Sequence, residues 1–348
     1  MSWTTGSDFF LSDDDLDAAP IWGDGSHILW SEGEPFMIAG DDGTGKTTIA
    51  HQLIAGRLGF LDELLGYTVR PMSNPEGIIV YLAMDRPKQA RRAGRRLMRT
   101  LDDDQREVLD ERLQVWEGPL PVNPLESPEA VLKWLQAEFG DMVSDVFVDS
   151  VKDMVPSLSD DTPAANYNLC LQALVTSGIE VVDLHHQRKA SAQNTTPNQL
   201  ADVYGSRWLT AGHGSVVMLS HEDRESNVIR MSHRKPVQDV VPSMVARHDG
   251  PSGRTALHDG SHTASSRAED RNAARVYDAL YKRKLSGNPD PMTLRALTKH
   301  MGMSRPVVSA WVATGISRGW LTETPGPRNS KLIDITDNPP PTELYADK

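Results

Sequence analysis

Cysteine is almost absent, with Cys170 alone in a chain of 348 residues. One thiol excludes a disulfide framework and a cysteine-ligated zinc finger, fits a reducing cytosol, and reads as a core residue. Cations are also short, 36 lysines and arginines against 48 aspartates and glutamates, for a net charge of -12. That balance excludes a protein that coats duplex DNA with its whole surface, while leaving room for a local basic channel or patch. The N-terminus, MSWTTGSDFFLSDDDLDAAP, has neither a basic start nor a long apolar run. No signal peptide or membrane span is expected there, which points to a cytoplasmic protein without membrane contact.

What is present begins with GDDGTGKTTIA, Gly40 to Ala50. Here the pattern G-x-x-x-x-G-K-T follows the apolar run Phe36 to Ala39 and precedes the helix-spaced Ile49, Ala50, Leu53 and Ile54. Gly40, Gly43 and Gly45 let successive backbone N–H groups converge on one anion, where a helix N-terminus adds orphan donors and positive dipole. Lys46 is expected to bridge the β- and γ-phosphates of ATP, and Thr47 to ligate Mg2+. The expected cradle comprises Gly40, Asp41, Asp42, Gly43, Thr44, Gly45, Lys46, Thr47 and Thr48, with both aspartates pointing outward. Asp41 stands where a partition-type ATPase has its second lysine, which excludes that subclass.

From residue 21 to 260, short apolar runs alternate with helix-period segments. This predicts an α/β domain on a mainly parallel twisted sheet covered on both faces. The expected strands are Phe36 to Ala39, Gly77 to Met84, Leu113 to Trp116, Asp145 to Val148, Ile179 to Leu184, Ser215 to Leu219 and Val228 to Ser232, with a hairpin within Ala246 to Leu257. Residues 1–20 read as an acidic tail in which Phe9, Phe10 and Leu11 could dock on a neighbour, and 261–270 as a polar linker.

Beyond the linker the charge changes sign. Between Arg267 and Ile333 basic residues outnumber acidic ones by about seven. The pattern over 271–336 is a helix from Asn272 to Lys284, a helix from Met292, a turn at Gly302, a helix capped by Ser304, and a hairpin with Pro325, Gly326 and Pro327 at its tip. It predicts a winged helix-turn-helix, followed by an unstructured tail over 337–348. Arg305, Val308 and Ser309 are expected to face a major groove, with Arg328 and Lys331 on phosphate beside it. Duplex DNA and a protein partner such as an initiator both remain open as its target.

Phosphoryl transfer to water needs an acid on the magnesium side and a group that orients the attacking water. DVFVDS ends a buried strand at Asp149, beside the phosphate loop, and supplies the first. GIIVYLAMDRPKQARRAGRRL ends a strand at Asp85 and continues into a helix bearing Arg91, Arg92, Arg95 and Arg96. Spacing alone allows Asp85 to be a helix N-terminal residue and the arginines a solvated face.

The order of these motifs, continued by VVDLHHQRKA, YGSRWLTAGHGSVVML and IRMSHRKP, resembles RecA-like ATPases of the RepA and DnaB hexameric helicase class, especially a branch met in actinobacterial phages and plasmids. The resemblance covers residues 20–260. It implies a RecA-like core that hydrolyses ATP with Mg2+, assembles as a six-membered ring and translocates on single-stranded DNA. By the same resemblance Asp85 orients the water, where the family usually has the longer glutamate. His186 and Gln187 sense the γ-phosphate and couple hydrolysis to DNA-binding loops. Arg188 and Lys189 open a flexible polar loop of a length suited to single-stranded DNA, without aromatic stacking residues. Arg234 and Lys235, or else Arg207, supply a cation to the neighbouring subunit's ATP. Adjacent His185 and His186 on one strand point to opposite faces, which disfavours a shared metal. The leading function is a replicative DNA helicase. A recombination mediator or strand-loading ATPase, and a nucleotide-switched DNA-binding regulator, are the alternatives.

Overall fold

The computed structural model describes residues 4–7, 19–189, 194, 197–223, 225, 227–258, 264–327 and 330–340. Phe9, Phe10, Leu11, Arg328 and the end of the C-terminal tail lie outside the described residues. The chain divides into two compact units, Met1–Asp259 and Gly260–Lys348. Among the described residues no helix is long and apolar enough to cross a membrane.

In the first unit a hairpin of β1 (Pro20–Asp24) and β2 (His27–Ser31) precedes β3 (Phe36–Gly40), which leads through the glycine-rich loop into α1 (Lys46–Arg57). A two-residue pair, β4 (Glu63–Leu64) with β5 (Tyr67–Thr68), is followed by β6 (Ile78–Ala83), α2 (Pro87–Met98), α3 (Asp103–Arg112) and β7 (Leu113–Glu117). Next come α4 (Ala130–Phe139), β8 (Val143–Asp149), α5 (Val151–Met154), α6 (Asp161–Thr176), β9 (Glu180–His186) and α7 (Arg207–Ala211). The unit closes with β10 (Ser215–Asp223), β11 (Val228–Lys235), β12 (Met244–Asp249) and β13 (Arg254–Leu257).

Nine of these strands form one sheet in the order β13-β12-β11-β10-β3-β9-β8-β6-β7. From β10 to β7 the strands are parallel, and β11, β12 and β13 extend them antiparallel. Period-two alternation divides the side chains of β3 between the faces. Phe36 and Ile38 join Ile49, Leu53 and Ile54 of α1 on one side, while Met37 and Ala39 join Val131 and Leu135 of α4 and Tyr167 and Leu171 of α6 on the other. The β1–β2 hairpin was not among the expected strands, because Gly23 and Gly25 interrupt its apolar pattern. Its buried Trp22 and Trp30 pack against Phe36 at ring centroid distances of 5.9 and 6.2 Å. At the end of α1, Arg57 pairs with Asp145 at 2.6 and 2.9 Å, both groups being buried.

The second unit contains α8 (Ala264–Leu285), β14 (Met292–Thr293), α9 (Leu294–Met301), α10 (Arg305–Ser317), β15 (Leu321–Pro325) and β16 (Lys331–Ile335), with strand order β14-β16-β15. Its core joins Val276 and Leu280 to Leu297, Val308, Trp320 and Ile333. Helix α8 begins inside the stretch expected to be a linker, since SSRAED carries helix formers and neither glycine nor proline to stop it. Met292 belongs to a short strand instead of a helix, and Thr293 caps α9 by accepting from the Ala296 N–H at 3.2 Å. Gly302 ends α9 in the left-handed conformation, at φ 65. Ser304 occupies the N-cap position of α10, but its side chain makes no capping hydrogen bond. Val308, expected on the groove-facing surface, is fully buried because α10 closes the core with it and Val312.

Candidate active site

In an open parallel sheet, ligands bind at the carboxyl ends of the strands. There β3 ends at Gly40, in register with His186 of β9 and Leu219 of β10. A Cβ on Gly40 would lie 2.6 Å from the Leu219 carbonyl oxygen, so no side chain fits where the loop leaves the sheet. Gly43 and Gly45 take φ of 76 and 82, which turns the chain tightly enough to start α1 at Lys46. Thr44 is buried, and its hydroxyl donates to the Asp41 carbonyl at 2.8 Å. Lys46 Nζ donates to the carbonyls of Gly40 and Asp41 at 3.0 and 2.9 Å. Burial lowers its pKa, against the raising influence of Asp42, Asp149, Asp41 and Asp85. Asp42 was expected to point outward. It is exposed, yet its Oδ1 lies 3.1 Å from His186 Nδ1, so it leans across the mouth of the site.

Strand β8 delivers Asp149 to the same point. Its Oδ2 accepts from Thr47 Oγ1 at 2.9 Å and from Tyr81 OH at 2.7 Å. Burial raises the Asp149 pKa, and these two hydrogen bonds oppose the rise. The backbone N–H groups of Met84 and Asp85 donate to the Asp149 carbonyl at 2.8 and 2.9 Å, binding the ends of β6 and β8 together. Asp85 Oδ2 then lies 3.4 Å from Lys152 Nζ and 3.8 Å from His186 Nε2. Lys46, Thr47, Thr48, Asp85, Asp149 and His186 line one pocket of about 430 Å³. Thr47 and Asp149 offer adjacent hard oxygen donors, which fits Mg2+. That ion would neutralise phosphate charge at their position.

Helix α2 forms the opposite wall. Arg92 and Arg96, one turn apart, line the nucleotide-sized pocket, whereas Arg91 pairs with Glu117 and, with Arg95, lines a second cavity. The arginine run is therefore more than a solvated face. Tyr81 was missed by sequence reasoning. Within IIVYLAMD it reads as another apolar strand residue, and its one signal was a hydroxyl in a strand that ends beside the site. Tyr81→Phe takes a hydrogen bond from a buried carboxylate, worth roughly 1.5–3 kcal/mol. Magnesium-dependent turnover is expected to fall at least about tenfold. Because the lost bond held the Asp149 pKa down, the acid limb of the pH–rate profile moves to higher pH.

The remaining site residues separate into two groups. His185 is buried, its Nε2 2.7 Å from the Tyr204 carbonyl, and burial pushes its pKa down to about 3. His186 faces the pocket, and burial and Lys46 lower its pKa. Among the described residues, three buried atoms at this strand end lack a hydrogen-bond partner, His185 Nδ1, His186 Nε2 and Gln187 Oε1. Arg188 is tied back where this loop begins. Its N–H donates to the Asp202 carbonyl at 2.7 Å and its guanidinium to Gly205, while Gln187 bridges to Val203. The Asp202 side chain also accepts from the Asn198 and Gln199 N–H groups, at 2.7 and 2.8 Å. Lys189 is exposed, and 190–193 lie outside the described residues.

Arg207 is exposed at the start of α7, and Arg234 reaches Asn198 Oδ1 at 3.4 Å. Lys235 is anchored within its own chain, donating to the carbonyls of Thr210 and Ala211 at 3.1 Å and to His213, so it closes the C-terminal end of α7. In the second unit Arg305 and Ser309 are exposed, whereas Lys331 pairs with Glu323 at 2.7 Å.

Residues 22–192 match the family described as AAA domain. The match includes the phosphate loop, Asp85, Asp149, His186 and Gln187, and stops before Arg207, Arg234 and Lys235. Among solved structures, the ATPase domain of G40P is similar at 13% identity with a TM-score of 0.45, over 65% of this chain and 85% of that one. The RadB recombinase is similar at 13% identity with a TM-score of 0.46, over 66% of this chain and 93% of that one. No curated protein matches.

Proposed function

We propose that this chain is a RecA-like P-loop ATPase acting as a ring-forming DNA motor, a replicative helicase that translocates on single-stranded DNA. One observation carries the reading. A phosphate-loop lysine, a threonine–aspartate pair suited to Mg2+, a second carboxylate and a strand-end histidine converge on one pocket. Those are the parts ATP hydrolysis needs, apart from a cation for charge developing on the γ-phosphate.

In the proposed ring that cation comes from the next subunit. Arg207, exposed, and Arg234, half-buried with a long contact to Asn198, are suited to reach across, whereas Lys235 donates to α7. His186 lines the pocket and leads through Gln187 to Arg188 and Lys189, so the loop they begin is our candidate for the strand-gripping element. The second unit has the helix and strand order of a winged helix, and its positive balance supports duplex DNA as its target. Arg305 is its exposed candidate for a groove edge, and Lys331 for phosphate.

The test is unwinding of a forked duplex by the full chain with ATP, alongside ATP turnover with and without single-stranded DNA. A helicase unwinds, and its turnover rises with single strands. DNA-stimulated turnover without unwinding favours a mediator that loads or anneals strands. Slow turnover indifferent to DNA favours a nucleotide-switched regulator.

A further inference from the structure

Two histidines outside the pocket hold the phosphate loop from its outer side. His221 of β10 meets the Asp42 carbonyl through Nε2 at 3.1 Å, and His248 of β12 meets the Thr44 carbonyl through Nε2, also at 3.1 Å. A carbonyl only accepts, so each ring nitrogen must donate. For His248 a chain of hydrogen bonds fixes this arrangement independently. Thr255 Oγ1 accepts from Gln52 Nε2 at 2.9 Å, and its own proton goes to His248 Nδ1 at 2.6 Å, leaving Nε2 as the ring's donor. Burial lowers the His248 pKa, which favours the neutral ring that this chain requires. Gln52 also accepts from the Thr255 N–H at 2.8 Å. Helix α1, the loop and the β12–β13 hairpin thus form one closed circuit. Gly45 makes room for it, since a Cβ there would lie 2.0 Å from His248 Nε2.

The consequence follows from the peptide bond. A trans peptide is planar, so the carbonyl of one residue and the N–H of the next point in opposite directions. Fastening the Asp42 carbonyl outward turns the Gly43 N–H inward, and fastening the Thr44 carbonyl outward does the same for Gly45. Both glycines line the pocket with Lys46, and neither histidine does. Inward amides alternating with outward carbonyls make an anion-binding nest.

We propose that His221 and His248 are positioning residues that aim the Gly43 and Gly45 amides at the phosphates of a nucleoside polyphosphate, so that the nest is formed before the ligand arrives. This rests on the reading of the pocket as an ATP site. Preorganised donors cost no reorganisation on binding, so loosening them weakens affinity without loosening the fold.

The test is binding of fluorescent N-methylanthraniloyl-ADP with Mg2+ to the full chain. His248→Leu is expected to raise Kd about tenfold. His221→Leu, at a more open position, raises Kd by a smaller factor. His248→Gln, whose amide can replace the Nε2 donor, recovers most of the loss. Thr255→Val keeps the ring but releases its tautomer, and falls between wild type and His248→Leu. Equal Kd values across these variants overturn the inference, as does His248→Gln binding as poorly as His248→Leu. A wild-type chain that fails to bind the probe overturns the ATP-site reading, and this inference with it. Wild-type binding that Lys46→Ala abolishes while the histidine variants leave it intact overturns this inference alone.

Discussion

Lys46→Ala is expected to lower ATP turnover by roughly 10²–10³-fold, the range for removing a preorganised group that stabilises transition-state charge. The pocket makes this larger than an ordinary surface lysine would suggest. Asp42, Asp85 and Asp149 line the same space, so without Lys46 a polyanion enters against three carboxylates. Steady-state phosphate release measures the loss, and unchanged turnover would remove the ATP site from consideration. The same variant tests the proposed ring. Mixed with Arg207→Ala or Arg234→Ala, it should regain partial activity, because some interfaces then combine an intact loop with an intact neighbouring arginine. Recovery with one arginine variant and not the other identifies the donor. No recovery in rings shown to be mixed excludes both.

Asp85→Asn should leave nucleotide bound and slow its hydrolysis by roughly 10²–10⁴-fold, the usual contribution of a positioned general base. The amide keeps the shape of the side chain and cannot take a proton from water. Asp149→Asn should differ in kind, weakening magnesium-dependent binding as well as turnover, because Asp149 shares its position with Thr47. Rapid-quench turnover and equilibrium binding on the two variants separate the roles. If Asp85→Asn hydrolyses at the wild-type rate, the base lies elsewhere. The shorter acid is brought close by its backbone, since the Met84 and Asp85 N–H groups hold the end of β6 against the Asp149 carbonyl. Asp85→Glu, one methylene longer, is therefore expected to retain turnover.

The parallel sheet was legible because its strands are unbroken apolar runs, as at DVFVD and IIVYLA, and because glycine and lysine spacing marks the loop between β3 and α1. The β1–β2 hairpin was not legible, since two glycines break its alternation and its tryptophans show their burial only once Phe36 is in place. Asp149 could be named because it ends a strand beside the loop, and Asp85 and His186 because of the resemblance their motifs carry. Tyr81, His221 and His248 could not, because each acts across the sheet or across the loop, and sequence spacing carries no record of which strand lies beside which. Lys235 shows the converse. A cation next to Arg234 looks available in one dimension, but in the folded chain it answers the unpaired carbonyls of α7. Val308 was misassigned for a related reason, since in a short helix of apolar and small residues the period does not say which side closes the core.

The buried contact between Arg57 and Asp145 bears on how the metal-side oxygens keep their spacing. Helix α1 begins beside Thr47 and ends at Arg57, while β8 carries Asp145 near one end and Asp149 at the other. The Thr47–Asp149 hydrogen bond closes one end of this pair of elements, and the Arg57–Asp145 ion pair closes the other. The two elements behave as the long sides of a braced rectangle, which resists shear and does not let one side slide past the other. Motion driven by hydrolysis is then expected to pass around this frame, through α2 and the strand ends, and not through the spacing of its corners. Amides of α1 and β8 should be among the slowest to exchange with deuterium, in the presence and absence of nucleotide alike.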